Sequence, residues 1–269
     1  MFDKVAQDNS KEEIRAKILE EEILELDSFE KSEPLENEIL DYLSKIKEEY
    51  DLTEEDLVGL RLLVHRINNA NMVNAVIPIY CHQSLDREKI YQAAIKEGFA
   101  AKKHEKFTGV AVKCSSGSFK FTAIYFNSGS INCVGVKDVS PEGIQRLIQT
   151  LKRYNKKLIE DYKDLSYDFR IANRVLSLKI PLSLRLDHLH LLSREKYWRE
   201  VKYQAQIFPG LISQKDGTKA KLLFFRTGSL IMTGIKSTKI RLELTQNLCE
   251  KIGNYLASRK KYLESFKFE

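Results

Sequence analysis

The chain contains an internal repeat at a fixed separation of 99 residues. The segment FTAIYFNSGSINCVGVK at 121–137 aligns with AKLLFFRTGSLIMTGIK at 220–236, and NAVIPIY, from residue 74, aligns with NRVLSLK, from residue 173. Identical residues keep this separation on both sides of more variable segments, which indicates the duplication of one supersecondary unit. The identical pairs are Asn74/Asn173, Val76/Val175, Phe126/Phe225, Gly129/Gly228, Gly135/Gly234 and Lys137/Lys236.

Each copy predicts the same order of elements: a strand, a helix, a meander of strands and a long C-terminal helix. In the meander, side chains alternate between the two faces of a sheet, and both faces are largely apolar. One face has to pack on the helices, while the other, edged with lysines, is typical of a binding surface. One face carries Phe121, Ala123, Tyr125, Ala220, Leu222 and Phe224, and the other carries Lys120, Thr122, Ile124, Phe126, Lys219, Lys221, Leu223 and Phe225.

Residues 1–66 differ from the rest in pattern and in charge. They predict three helices: one within 11–26, one that begins near Pro34, and one with Thr53 as its N-cap and Asp56 three residues on. Their net charge is −11, whereas residues 67–269 carry +17. A body this basic fits a polyanionic partner, because lysines and arginines bound at phosphates release counterions. A soluble domain with a basic surface is the alternative.

Several function classes find no support in the sequence. No run approaches the roughly eighteen apolar residues of a membrane span, and no apolar N-terminal run indicates a secretory signal. The four cysteines are scattered without a CxxC pair, which fits a reducing compartment and argues against a cysteine zinc site. No phosphate-binding loop, nucleophile elbow or metalloprotease motif appears. We therefore expect no enzymatic activity, no metal and no cofactor.

The segment FPGLISQKDGTKAKLLFFRTGSLIMTGIK at 208–236 resembles the second-repeat signature of TATA-box-binding proteins, with FPGLI, a hairpin, a Phe-x-x-Gly turn and a TG-x-K strand end. FRIANRVLSLKIPLSLRLDHL at 169–189 is similar to the family's preceding strand and helix start, and copy one matches more loosely through VNAV, FTGVAV and YFNSGSINCVGVK. The resemblance covers about residues 70–260.

This resemblance implies an α+β fold, a saddle of two tandem pseudo-symmetric repeats. Each repeat is expected to be a curved antiparallel sheet with two helices on its convex face, and a helical N-terminal extension precedes the pair. The expected divisions are the acidic extension at 1–66, repeat 1 at 67–160 and repeat 2 at 161–269.

The resemblance also implies that the sheet binds the minor groove of AT-rich duplex DNA and wedges aromatic rings between base steps. Asn74 and Asn173 stand where an amide donates to adenine N3 and thymine O2, and Thr233 is a further hydrogen-bonding position. An apolar floor excludes the exocyclic amino group of guanine. The wedge candidates are Phe107, Phe126, Phe208 and Phe225, with Thr108 and Pro209 as compact neighbours. The floor residues are Val76, Ile124, Val175, Leu223 and Ile231.

Basic residues match the family's contacts to the DNA backbone. Lys221 adds a lysine on the DNA face itself. Each type of candidate DNA-binding residue has an alternative role. A phenylalanine can pack in the core, an asparagine can bond to its own backbone, and a lysine can serve solubility. The matching lysines are Lys113, Lys120, Lys137, Lys219 and Lys236.

Copy one departs from the family at two positions. Val134 replaces the threonine that corresponds to Thr233, and Asn132 replaces an apolar groove residue. Val134 cannot form the hydrogen bond that the threonine forms, and Asn132 adds an amide two residues away. We therefore expect the DNA preferred by copy one to depart from a strict TATA consensus in the half of the site that this copy contacts.

Two surfaces are candidates for protein partners. The loop that docks transcription factor IIB in the family is expected at Gln204, Gln206 and Ile207, with glutamines where the family has glutamates. Lys152 and Arg153, on the first C-terminal helix, are candidates for contact with an acidic partner, and a solvated helix face is the alternative.

The resemblance implies a general transcription initiation factor that binds and bends promoter DNA and recruits a IIB-like factor and RNA polymerase. The location would be the nucleus, or a cytoplasmic viral factory or virion if the chain is viral. The alternatives are a saddle-fold interaction platform that has lost specific DNA binding, and an accessory domain of an enzyme. For the acidic extension, three hypotheses stay open: contact with the basic saddle in competition with DNA, docking on the convex helices, and a tail that binds activators.

Overall fold

The structure is a computed structural model, and it describes residues 33–81, 83–103, 108–162, 168–180, 184–195, 201–214 and 217–265. The predicted helix within 11–26 lies outside these residues. The helices are α1 (Glu33–Tyr50), α2 (Glu54–Asn68), α3 (Arg87–Lys96), α4 (Pro141–Leu158), α5 (Leu186–Glu195) and α6 (Thr238–Ser265). The strands are β1 (Asn71–Tyr80), β2 (Ala101–Lys103), β3 (Gly109–Ser116), β4 (Phe119–Phe126), β5 (Ser130–Val136), β6 (Asp168–Phe169), β7 (Asn173–Lys179), β8 (Val201–Lys202), β9 (Gly210–Gln214), β10 (Lys221–Phe225) and β11 (Ser229–Ile235).

The described chain divides into two compact units. Unit 1 contains residues 75–171, and unit 2 contains residues 33–74 together with 172–265. Each unit holds one copy of the sequence repeat, except that Asn74, the first residue of copy one, falls in unit 2. The acidic helices α1 and α2 also belong to unit 2. The boundaries of the extension and the two repeats, placed from the sequence at 66/67 and 160/161, stay a prediction.

The two units have the same sheet topology. In unit 1 the strand order is β2-β3-β4-β5-β1, and the short β6 pairs with β1. In unit 2 the order is β8-β9-β10-β11-β7, and these neighbouring strands pair antiparallel in both units. Corresponding elements therefore follow one another identically in the two copies, as the 99-residue repeat predicts.

Two helices cover one face of each sheet. In unit 1, α3 packs on α4 and both contact β3; in unit 2, α5 packs on α6, α5 contacts β8 and β9, and α6 contacts β10 and β11. Between sheet and helices lies an apolar core, in which the fully buried Tyr125 donates a hydrogen bond of 2.9 Å from its hydroxyl to Asn155 Oδ1. The phenol is thereby buried without leaving its polar atom unsatisfied.

The described part of the acidic extension is a helical pair that packs on the helix layer of unit 2. α2 begins at the predicted N-cap: Thr53 Oγ1 accepts a bond of 3.2 Å from Asp56 N–H, and Asp56 Oδ2 accepts one of 3.0 Å from Thr53 N–H. Both helices contact α6. Arg241 of α6 donates to the carbonyls of Ile67 and Asn68 at the C-terminal end of α2, at 2.9 and 3.1 Å.

This docking involves residues 33–68, and competition of residues 1–32 with DNA stays a hypothesis. None of the helices in the described ranges has an apolar stretch long enough to cross a membrane.

Candidate nucleic-acid interface

Each sheet has an open face, which we define as the face opposite its two helices. The burial of β4 alternates as predicted: Phe121, Ala123 and Tyr125 are buried, whereas Ile124 and Phe126 are half-buried. In β10, Leu222 and Phe224 are buried, and their neighbours are half-buried. The open face of unit 1 carries the half-buried Val76, Ile124, Phe126, Asn132 and Val134, and that of unit 2 carries the half-buried Val175, Leu223, Phe225, Ile231 and Thr233.

Strand register gathers the predicted floor residues into compact patches. In unit 2, Leu223 lies opposite Ile231 on one side and Ile212 on the other. In unit 1, the corresponding Ile124 lies between Asn132 and Ala111. Val76 is paired with Val134 in the same unit. The apolar patch of unit 2 is thus interrupted in unit 1 by one amide and one small side chain.

An aromatic pair stands at the edge of the open face of unit 2. The ring centroids of Phe208 and Phe225 are 5.8 Å apart and the rings are tilted by 67° in an edge-to-face arrangement. Both rings are half-buried, and the adjacent Pro209 is exposed. A Cβ on Gly210 would lie 2.7 Å from Phe208 Cε1 and 3.0 Å from Phe225 Cε1. The glycine of the FPG sequence is therefore required for the close approach of both rings.

The corresponding edge in unit 1 is only partly described. Phe126 is half-buried and lies opposite Gly109, as Phe225 lies opposite Gly210. Thr108 is exposed, and Phe107 lies outside the described residues. The pairing of Phe107 with Phe126 stays a prediction.

The side chain of Asn173 is oriented by the strand beside it. Its Oδ1 accepts a hydrogen bond of 2.7 Å from the backbone N–H of Gly234, and its Nδ2 lies 3.4 Å from Thr233 Oγ1. Because the carbonyl is engaged with the backbone, the amide presents its N–H groups as donors beside the Thr233 hydroxyl. The repeat-related Asn74 is also half-buried.

The lysines of the predicted interface differ in exposure. One of them is on the face itself, because Lys221 is half-buried and lies in register between Thr233 and Gln214. The predicted backbone-contacting residues Lys113, Lys120, Lys137, Lys219 and Lys236 are exposed. Exposed ammonium groups at these positions keep their charge available for a polyanion.

The loop before the aromatic pair projects an apolar side chain into solvent. Ile207 is 78% exposed, and the backbone N–H groups of Ile207 and Phe208 both donate to the carbonyl of Gln204 at 2.9 Å. Gln204 and Gln206 are exposed on the same turn. The predicted docking loop is therefore a compact turn that exposes Ile207.

The second partner candidate lies on α4 in unit 1. Arg153 is exposed, but its Nη2 already donates to the backbone carbonyl of Ser115 at 2.6 Å, so the side chain ties α4 to the β3–β4 hairpin. Lys152 is half-buried, and the nearby Lys157 pairs with Glu97 at 2.7 Å. A partner at this surface would have to compete with these contacts.

Sequence reasoning missed several open-face residues. Ile212 and Ala111 complete the rows that contain Leu223 and Ile124, and Ser177 lies opposite Ile231. Alternation within GLISQ and GVAVK assigns Ile212 and Ala111 to the open face once the register is known. The missing information was the pairing of strands rather than the residue pattern.

The described residues do not gather into a metal site. No group of three or more histidine, cysteine, aspartate and glutamate side chains among them is placed to hold a metal ion. Burial raises the pKa of the Cys114 thiol to about 12 and that of Cys249 to about 12, which keeps both neutral near pH 7. The chemistry of the described surface is therefore that of an apolar face with amides and lysines.

Comparison with known proteins gives the same fold. The structure titled "Methanococcus jannaschii TBP" matches with a TM-score of 0.51 at 23% identity, and the match covers 68% of this chain and 97% of that one. The TATA-box-binding protein of Methanocaldococcus jannaschii is 29% identical over 62% of this chain and 84% of its own length.

The family assignment rests on sequence. The family model described as "Transcription factor TFIID (or TATA-binding protein, TBP)" matches residues 168–255, which lie in the second repeat. The TATA-box-binding protein of Methanothrix thermoacetophila is 31% identical over 49% of this chain and 69% of its own length. With this sequence similarity and the shared fold, the chain belongs to the TATA-box-binding protein family.

Proposed function

We propose that this chain is a transcription initiation factor that binds AT-rich promoter DNA through the minor groove and bends it. The observation that carries the proposal is the Phe208–Phe225 pair, which stays half-exposed at the edge of an apolar open face instead of entering the core. Soluble proteins cover contiguous apolar surface unless it has a partner. An apolar ring at the edge of such a face is suited to enter between base steps, where unstacked bases replace water.

The polar groups of the open face fit the acceptors of the minor groove. Adenine N3 and thymine O2 accept hydrogen bonds there, and guanine adds a donor, its N2 amino group. The Asn173 amide presents donors, because its carbonyl is bonded to Gly234 N–H. Leu223 and Ile231, which face each other on the same open face, offer no acceptor to guanine. Donors next to an apolar floor favour A·T pairs.

The lysines supply attraction that is independent of sequence. Each exposed lysine that reaches a phosphate releases a counterion, so affinity falls as salt rises. Five such lysines lie in the two repeats, and they would position the duplex without reading its bases.

We also propose that the turn at 204–207 recruits a IIB-like factor, and with it RNA polymerase. An isoleucine that is 78% exposed at the tip of a compact turn is suited to fill an apolar pocket on a partner. The turn precedes Phe208 directly, so a factor that binds it would contact the DNA–protein complex close to the proposed wedge.

The test combines gel shift with a fluorescence energy-transfer measurement of bending, on AT-rich and GC-rich duplexes across a salt series. Phe208→Ala with Phe225→Ala should weaken binding to AT-rich duplex by roughly 10- to 100-fold and reduce the bend, because two of the four proposed apolar wedges are removed. Ile207→Ala serves as the matched control, since it removes an apolar side chain from the adjacent turn. It should leave bending unchanged and weaken the ternary complex with a IIB-like factor.

Different outcomes point to different conclusions. Full bending by the double phenylalanine variant would reject the wedge. Failure of the unaltered chain to bind any duplex at low salt, combined with retained binding of a IIB-like factor, would favour a protein-interaction platform. Circular dichroism of each variant establishes that it remains folded.

A further inference from the structure

Asn132 places an amide in the middle of the open face of unit 1. It lies in β5, is half-buried, and faces Ile124 of β4 in register. The repeat-related position in unit 2 is Ile231, which faces Leu223 in the same manner. At this one pair of positions the two floors therefore differ between an amide and an aliphatic side chain.

The Asn132 amide keeps both of its hydrogen-bonding functions available. Among the described residues, no side chain or backbone group forms a hydrogen bond with this amide, whereas Asn173 Oδ1 accepts from Gly234 N–H at 2.7 Å. An asparagine side chain carries one acceptor oxygen and two N–H donors. Asn173 Oδ1 thus has one lone pair engaged by the backbone and lies 3.5 Å from Thr233 Oγ1. Both functions of the Asn132 amide stay open to a ligand, so it can donate or accept.

That difference matters for one feature of the minor groove. Adenine–thymine pairs present only acceptors there, and a guanine–cytosine pair adds the N2 amino donor of guanine. An aliphatic floor such as that around Ile231 leaves that amino group without a partner when the groove is covered, which disfavours guanine. The Asn132 carbonyl oxygen offers the acceptor that the amino group needs.

We propose that Asn132 is a specificity-determining residue, through which the half-site covered by unit 1 accepts a G·C pair that the half-site covered by unit 2 rejects. This inference rests on the proposed function, in which the open faces cover the minor groove. It predicts an asymmetric binding site, and asymmetry gives the protein a preferred orientation on the DNA.

A swap between the repeat-related positions provides the test. The binding of the full chain is measured on a panel of duplexes, each with one A·T pair of an AT-rich site replaced by G·C. The unaltered chain should tolerate the replacement at one position, in one half of the site. Asn132→Ile should bind that duplex roughly 10-fold more weakly than the unaltered chain does, with little change on the all-A·T site. Ile231→Asn should gain tolerance at the symmetry-related position.

Inosine distinguishes the amino group from other properties of a G·C pair. An inosine–cytosine pair lacks the N2 amino group and presents the minor groove of an A·T pair. At the tolerated position, the unaltered chain should bind G·C more tightly than inosine–cytosine, and Asn132→Ile should reverse that order. The comparison on the unaltered chain needs no variant, so it decides the matter even if Asn132→Ile does not fold.

Two results separate this inference from the function on which it rests. Tight binding to the all-A·T site with rejection of G·C throughout, or with equal affinity for G·C and inosine–cytosine, overturns the role of Asn132 and leaves the proposed function in place. Absence of binding to every duplex overturns the proposed function and the role of Asn132 with it.

Discussion

At the scale of single residues, duplication has preserved backbone conformation while surroundings have diverged. Gly135 and Gly234 occupy the same place in the repeat and have φ angles of 82° and 81°. A Cβ on Gly135 would meet no atom within 4 Å. On Gly234 it would lie 2.6 Å from the Cα of Ala220 and 2.6 Å from the carbonyl oxygen of Lys219. Gly135 is therefore required only because of its positive φ angle. Gly234 is required for its φ angle and also because no room is left for a Cβ atom.

This pair gives a prediction about stability that is independent of DNA binding. Gly135→Ala should lower the free energy of unfolding by about 1–2 kcal/mol, the cost of a left-handed conformation for an L-residue. Gly234→Ala should cost more, by at least about 1–3 kcal/mol, because backbone atoms of the neighbouring strand must shift. Urea titration followed by circular dichroism measures both values. Equal losses for the two variants would contradict the steric distinction.

At the scale of elements, the acidic helices are built into unit 2. Ile39, Leu43 and Ile46 of α1 are at most 2% exposed. A Cβ on Gly253 of α6 would lie 2.8 Å from Ile46 Cγ2, so the helices approach closely there. Burial and the nearby Glu250 carboxylate raise the pKa of Tyr42 to about 12, which keeps its phenol neutral at the same helix contact.

The contact between α1 and α6 predicts a local effect of a core substitution. Ile46→Ala should lower the free energy of unfolding of unit 2 by roughly 2–4 kcal/mol, because the cavity is only partly refilled. Leu40→Ala, on the same helix but 36% exposed, is the control and should change it by less than about 0.5 kcal/mol.

Thiol labelling reports which of the two units unfolds locally in the Ile46→Ala variant. Cys249 of α6 and Cys114 of unit 1 are both buried, with pKa values of about 12, so a thiol reagent near pH 8 reaches them only after opening. Ile46→Ala should accelerate labelling of Cys249 and leave Cys114 unchanged. Acceleration of both thiols to the same extent would show instead that the units open together.

The sequence alone predicts most of the helices and strands, but it does not predict how α1 and α2 pack on α6. The capping box at Thr53, the alternation through β4 and β10, and the matched glycine turns are local patterns, so they predict local structure correctly. The packing of α1 and α2 on α6 depends on which apolar stripes fit each other in three dimensions. No local pattern in 33–68 specifies that fit. The same reason explains why Ile212 was missed and why the bond between Gly234 N–H and Asn173 Oδ1 was not anticipated.

At the scale of the whole molecule, charge is divided unevenly along the chain. Residues 1–66 carry a net charge of −11 and residues 67–269 carry +17. Within the acidic part, residues 33–66 account for −6 and largely form α1 and α2, whose inner faces pack on α6. Residues 1–32 account for the other −5. Only charge that reaches the open faces could compete with phosphates, so the two acidic portions are expected to act differently on DNA affinity.

Charge neutralisation in the full chain tests that expectation. Replacing Glu12, Glu13, Glu20 and Glu21 by glutamine removes four negative charges from residues 1–32. Replacing the exposed Glu38, Asp41, Glu48 and Glu55 by the corresponding amides removes the same number from the packed helices. If the N-terminal segment competes with DNA, the first set should tighten binding by roughly 3- to 10-fold more than the second at low salt. The difference should vanish near 1 M salt, where the screening length is about 3 Å. Equal effects of the two sets at every salt concentration would mean that only the net charge of the molecule matters, and competition at the open faces would be rejected.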